Sequence, residues 1–321
     1  MSDFKSFLAP YIHEYKTWCE SNGIWTIEKN VKIKNFDKYC FNHHPKEIAL
    51  SQESVDEWAK KRETEQFNSC RTRVSILRTF LIFTNDRGYT NVILPELPKK
   101  QRRKYIPHAF TEQELQEFFY HTDHMSVSKG NIDSAIKAMT YPVYFRLLYS
   151  SGLRTCEARW LKVKDVDLEN GIVNIRKTKC NIEHYVVLHE SMLEIMRIYD
   201  HSISRLIPNR VYFFSKSDGI SHISRAMVNK YFRSFWGKVS SEYANPYALR
   251  HNYAIENINS WVGDQYDFFD KLVYLSKSMG HMDLESTKYY YSLVPGLADI
   301  IQARSNKSFD ELVPEVDYGE N

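Results

Sequence analysis

Nothing in this chain of 321 residues approaches the ~20 consecutive apolar residues that a membrane helix needs. The stretch from Met1 to Tyr15 mixes charged with aromatic residues and does not resemble a signal peptide. Cysteine is scarce. Cys19, Cys40, Cys70, Cys156 and Cys180 are odd in number, scattered and without a C-x-x-C pair. That argues against a disulfide framework and a structural zinc site, and for reduced thiols in a cytosol. His43-His44 is not spaced for a metal, and no G-x-x-x-x-G-K-[ST] loop exists, which disfavours a nucleotide-driven enzyme. A soluble, cytoplasmic protein with no metal, no cofactor and no membrane partner is expected. One-signed charge is lacking too, since a net charge of +3 does not announce a nucleic-acid partner.

What is present is a core-forming composition, 43% hydrophobic, in a chain long for one domain and comfortable for two. Phe4, Leu8, Tyr11, Ile12 and Tyr15 recur at helical spacing, Ser51 caps a helix through Val55, Trp58 and Ala59, and Arg71 to Asn85 reads as a longer helix stopped by Gly88. Residues 1–94 are therefore expected to form an all-α bundle. Pro95, Pro98 and Pro107 then frame Lys99, Lys100, Arg102, Arg103 and Lys104, a stiff basic linker over residues 95–107. Such a local cluster suits phosphate contacts, although a solvated linker would look the same.

A second domain is expected over residues 108–304, mostly helical with a small antiparallel sheet, followed by an acidic tail over 305–321. Thr111 and Glu114 make a capping box ahead of Leu115, Phe118 and Phe119. Tyr141 to Tyr149 reads as an apolar helix ended by Ser150-Ser151-Gly152. Ile172, Val173 and Ile175 pair with Tyr185 to Leu188 as a hairpin, and Asn245-Pro246 opens another helix. Asp165 and Asp167 read as a solvated turn.

Metal-free cleavage of a phosphodiester needs fixed cations for the charge on the non-bridging oxygens, a nucleophile that forms an ester, and an acid for the departing oxygen. Four segments offer that set in order: Leu147 to Glu157 with Arg154, Ile175 to Lys179, Tyr247-Ala248-Leu249-Arg250-His251, and Met279-Gly280-His281 with Thr287 and Tyr290. Each residue alone is ordinary. Surface arginines, structural histidines and packing tyrosines are the common case, and this chain has 22 tyrosines.

Together, over roughly Phe110 to Leu293, these segments resemble the boxes of the phage-integrase, or tyrosine site-specific recombinase, family, including its Xer- and transposon-integrase-like members. The helical first domain is similar to the family's core-binding domain. The resemblance implies that Arg154 and Arg250 grip the scissile phosphate and that His281 donates a hydrogen bond to it. Lys177 would be the general acid and Tyr290 the nucleophile, forming a 3′-phosphotyrosine. Glu157 and His251 would support the arginines. It further implies double-stranded DNA with specific sites as substrate, a homotetramer on synapsed DNA, a Holliday junction and no ATP. An accessory directionality protein and association with the nucleoid fit that picture.

Tyr290 is chosen over Tyr289 and Tyr291 by its spacing from His281, and successive helical side chains ~100° apart cannot share a target. Lys179 competes with Lys177, which is preferred. Tyr247 departs from the family's usual histidine; a phenol still donates a hydrogen bond but is no imidazole base. The hairpin turn lacks the common glycine, and the stretch from His251 to His281 runs longer than usual. Integration or excision of a mobile element is the preferred errand, ahead of chromosome dimer resolution. A type IB topoisomerase and a regulator that kept the fold without the reaction are the rival readings.

Overall fold

The computed structural model describes residues 4–101, 107–176, 183–261 and 268–280. The chain divides into two compact units, Met1–Tyr105 and Ile106–Asn321. Among the described residues no helix is long and apolar enough to cross a membrane.

Four helices build the first unit: α1 (Ala9–Ser21), α2 (Ile27–His43), α3 (Gln52–Ala59) and α4 (Phe67–Asp86). Thr26 and Ser51 cap α2 and α3 by accepting the amides of Lys29 and Ser54 at 3.1 and 3.2 Å. Leu8, Ile12, Tyr15 and Cys19 form one buried stripe, and the Tyr15 ring meets Phe80 of α4 edge-on at 5.3 Å. No helix was expected at α2. Its buried Ile33, Phe36 and Cys40 are masked in the sequence by exposed Ile27 and Val31 on the other side. Residues 95–101, expected as linker, lie along α4. Arg78 and Arg71 donate to the carbonyls of Pro95 and Pro98, and Asn68 exchanges two hydrogen bonds with the Gln101 backbone at 2.8 and 3.0 Å. Prolines leave those carbonyls without a ladder, and the long arginines of α4 supply the donors.

The second unit carries α5 (Glu112–Asp123), α6 (Ile132–Ser151), α7 (Thr155–Trp160), a 3₁₀ turn (Val163–Asp165), β1 (Val166–Asp167), β2 (Ile172–Ile175) and β3 (His184–Val187). It continues with α8 (Glu190–Ser204), α9 (Arg225–Trp236), α10 (Pro246–Ser260) and α11 (Phe268–Ser278). Both halves of the Thr111/Glu114 capping box form. The buried α6 packs against α5, α8 and α10 and begins nine residues before the expected Tyr141, capped by Asn131 and running through Pro142. Gly152 ends it with φ of 63°, and a side chain there would strike the Tyr253 ring 2.3 Å away.

The sheet has the order β1-β2-β3, all antiparallel, with Ile172 opposite Val187 and Ile175 opposite His184. The expected hairpin is there, with Tyr185 and Val187 turned outward rather than continuing the core. Asp165 corrects the reading of a solvated turn. It is buried and ion-paired at 3.0 Å with Arg176, eleven residues on, a partner that local pattern cannot reveal. Asp167 does form the turn, accepting the amides of Glu169 and Asn170.

Candidate active site

Three chain segments meet around two guanidiniums. Gly152 turns the chain out of α6, so that Arg154 becomes the residue capping α7. Its backbone amide donates to Glu157 Oε2 at 2.9 Å, its Nη1 to Glu157 Oε1 at 2.6 Å, and its Nη2 to the Gly280 carbonyl at 2.8 Å. Arg250, on α10, donates from Nη1 to the Gly152 carbonyl at 2.6 Å and from Nη2 to the Met279 carbonyl at 2.8 Å. It also lies 3.9 Å from Glu157 Oε2.

The three neighbourhoods picked out by sequence around Arg154, Arg250 and Gly280 thus come together. Glu157 is fully buried between the two arginines. Among the described residues one carboxylate, that of Glu157, pairs with both guanidiniums, a ratio that suits an anion approaching from outside. Burial is the largest single influence on Arg154 and works against its charge, but the hydrogen bond and the charge of Glu157, with smaller contributions from Tyr247 and Cys156, together outweigh it and raise the arginine pKa.

Tyr247 stands one turn before Arg250, partly exposed, its amide held by the Asn245 side chain at 2.9 Å. Its ring meets the buried His251 imidazole edge-on at 4.8 Å, and the Arg250 guanidinium lies 5.9 Å from the ring centre. Burial first, and Arg250 second, push His251 down to about 4, so the imidazole is neutral near pH 7. Gly280 (φ 62°) passes so close to the His184 ring that a Cβ would stand 2.6 Å from it.

Lys177, Lys179, His281 and Tyr290, with Tyr289, Tyr291, Arg102, Arg103 and Lys104, lie outside the described residues. Their flanks do not: Arg176 and Glu183 bound the hairpin lysines, and Gly280 directly precedes His281. Lys99 and Lys100 are exposed on the first unit.

Sequence reasoning missed a basic face on α9. Arg225, Asn229 and Arg233, four residues apart, line a groove of about 460 Å³ together with Thr155 and Tyr247. The i, i+4, i+8 spacing was readable, but only the fold sets it beside the arginine cluster.

The phage integrase family model matches residues 109–295, more than half of the chain. The chain is 23% identical over 291 residues to the tyrosine recombinase XerD of Rickettsia conorii, covering 85% of this chain and 88% of that protein. Its fold is similar to the XerH site-specific recombinase in a post-cleavage complex with a palindromic difH substrate. That match has a TM-score of 0.57 and 17% identity, over 86% of this chain and 77% of the other. It is also similar to a lambda integrase tetramer bound to a Holliday junction, with a TM-score of 0.58 and 12% identity, over 88% and 76% of the two chains.

Proposed function

From the premise that this chain belongs to the phage integrase family, we propose that it is a site-specific DNA recombinase working through a covalent 3′-phosphotyrosine on Tyr290. The observation that carries this reading is the paired guanidinium site. Arg154 and Arg250 are held by Glu157 and by three backbone carbonyls, two guanidiniums to one carboxylate among the described residues.

In the proposed reaction a non-bridging oxygen pair of the scissile phosphate docks on this site. The Tyr290 oxygen gives its proton to water and forms a bond to phosphorus, while the bond to the 5′-oxygen breaks. A hairpin lysine, Lys177 by preference over Lys179, gives its proton to that oxygen. Tyr247 and His281 donate hydrogen bonds to the phosphate. The new ester holds the energy of the old one, so rejoining needs no nucleotide. Fixed donors aimed at the developing charge are worth several kcal/mol, and a positioned acid about 10²- to 10⁴-fold in rate.

Arg225 and Arg233 extend the positive surface beside Tyr247, where the DNA backbone on either side of that phosphate would run. Lys99, Lys100, Arg102, Arg103 and Lys104 would add contacts elsewhere on the duplex. Exchange of two duplexes needs four nucleophiles, hence a homotetramer, as lambda integrase forms on a Holliday junction. Movement of a mobile element, with an accessory protein setting direction, is the proposed role.

The test is a covalent trap. Wild type and Tyr290→Phe are expressed in the source cell, the lysate is denatured, and DNA still attached to protein is sequenced. Adducts at one recurring sequence with wild type and none with Tyr290→Phe are expected. Adducts surviving in Tyr290→Phe but lost in Tyr289→Phe or Tyr291→Phe would move the nucleophile. No adduct from any form, with folding and site binding intact, would leave a DNA-binding protein without the reaction.

A further inference from the structure

The ion pair between Asp165 and Arg176 has no part in the phosphate site, yet it sits at a telling place. Arg176 directly follows β2 and directly precedes Lys177. A hairpin of two four-residue strands is marginal by itself and takes its position from what holds its ends. At the open end it is held by the pairing of β1 with β2 and by the Leu188 amide donating to the Gly171 carbonyl at 2.8 Å. At the other end Arg176 Nε stands 3.0 Å from Asp165 Oδ1, an ion pair without hydrogen-bond alignment, beside the packing of the His184 ring against Gly280.

The two partners differ in burial. The Asp165 side chain is 6% exposed and the Arg176 side chain 54%. A carboxylate that deep is costly without a cation beside it, so the fold draws Arg176 onto it rather than the reverse. Asp165 belongs to the rigid 3₁₀ turn after α7, the helix that Arg154 caps. The pair faces a cleft of about 200 Å³ that Glu157, Trp160, Lys162, Lys164 and Asn174 also line. Glu157, which pairs with both arginines, and Asp165, which pairs with Arg176, thus line the same cleft. Asn174 Oδ1 is buried there without a hydrogen-bond partner among the described residues, so β2 has no second polar fastening through that side chain.

We propose that Asp165 is a positioning residue: through Arg176 it fixes the foot of the hairpin to the frame that carries Arg154, so that the following lysine is presented to the leaving 5′-oxygen. This rests on the reading of a hairpin lysine as general acid given above. A misplacement of about 1 Å in a reacting group costs on the order of 10²-fold, the size of effect expected from cutting the tether.

The test exploits the leaving atom. When the bond from phosphorus to the 5′-oxygen breaks, its electron pair goes to an alkoxide that must take a proton from the lysine. With sulfur in that position the pair is carried by a thiolate, a far weaker base than an alkoxide because thiols ionise around 8.5, so it departs without an acid and is protonated by solvent afterwards. Two duplexes are built on the sequence recovered from the wild-type adducts, one with the 5′-bridging oxygen and one with 5′-bridging sulfur. Lys177→Ala and Lys179→Ala identify the acid as the one whose loss sulfur restores.

Asp165→Asn, which keeps the volume and removes the charge, is expected to slow adduct formation about 30- to 100-fold on oxygen and under about 3-fold on sulfur. Arg176→Gln, a change at a half-exposed side chain, should give the same pattern even if Asp165→Asn folds poorly. The double variant should be no slower than either single one. Equal slowing on both duplexes, or full activity of Arg176→Gln on oxygen, overturns the proposal. If the covalent trap recovers no wild-type adduct in the first place, the recombinase reading has failed and the proposal falls with it.

Discussion

Arg73 in the first unit and the Arg154–Arg250 pair in the second are both drawn in from solvent, and they are spent differently. Arg73, in the helical unit, gives Nε and Nη2 to both oxygens of Glu65 at 2.9 and 2.6 Å and its remaining donors to the carbonyls of Trp58 and Lys60, which end α3. One cation meets one carboxylate, and the charge is consumed inside. In the second unit Arg154 and Arg250 share the single carboxylate of Glu157, and the Arg154 side chain is 18% exposed against 2% for Arg73. Burial therefore does not distinguish architecture from a binding site. The ratio of cations to anions, and whether one edge still faces solvent, does.

The sharpest way to break that contrast is to remove the fork but keep the charge. Arg154→Lys retains the cation yet loses the fork that reaches Glu157 Oε1 and the Gly280 carbonyl at once. Adduct formation is expected to fall about 10²- to 10³-fold, with the thermal midpoint shifted little. A comparable fall in stability would make Arg154 a structural arginine like Arg73.

The converse variant is Arg73→Met, which strands Glu65 against the helix end. An unfolding free energy lower by about 3 kcal/mol is expected from urea titration of the full chain. The adduct rate per folded molecule should stay within about 2-fold. Arg73, by direct hydrogen bonding, holds the Glu65 carboxyl below its ordinary pKa. A lowered folded pKa means stability present above the unfolded value and lost as pH falls through the folded one. The gap between wild type and Arg73→Met should therefore be full at neutral pH and close in acid.

Signals read from neighbours in sequence were found where the fold has them. The Thr111/Glu114 box, the Gly152 stop, the cap at Asn245 and the β2–β3 hairpin each depend on residues a few positions apart, and each is there. So is the meeting of the segments around Arg154, Arg250 and Gly280, because their resemblance to ordered family boxes carries long-range information that pattern alone lacks. What stayed hidden depends on distant partners. Asp165 is buried with Arg176 as its ion-pair partner, Tyr253 leaves no room for a side chain at Gly152, and the α9 groove needs Thr155 and Tyr247 brought alongside. The N-terminal half of α6 was missed because Pro142 ends helices in most settings, and here it continues one.

The smallest expected effect separates the units by pH. Burial and the neighbouring Arg250 lower His251 from 6.5 to about 4, so the unfolded chain binds its proton more readily than the folded one. The sign follows: stability from this group is complete above about 6.5 and is lost as pH falls toward 4, because folding must expel the proton. Between pH 7 and pH 5 the second unit should lose on the order of 1–2 kcal/mol through His251. The Glu65–Arg73 pair holds over the same interval, since its loss begins only near the carboxylate range. Comparing wild type with His251→Gln, which takes no proton, isolates the contribution from the other histidines. A pH-independent difference between the two would mean that His251 is not held neutral against Arg250. The phosphate site would then gain a third cation as pH falls through the ordinary histidine range.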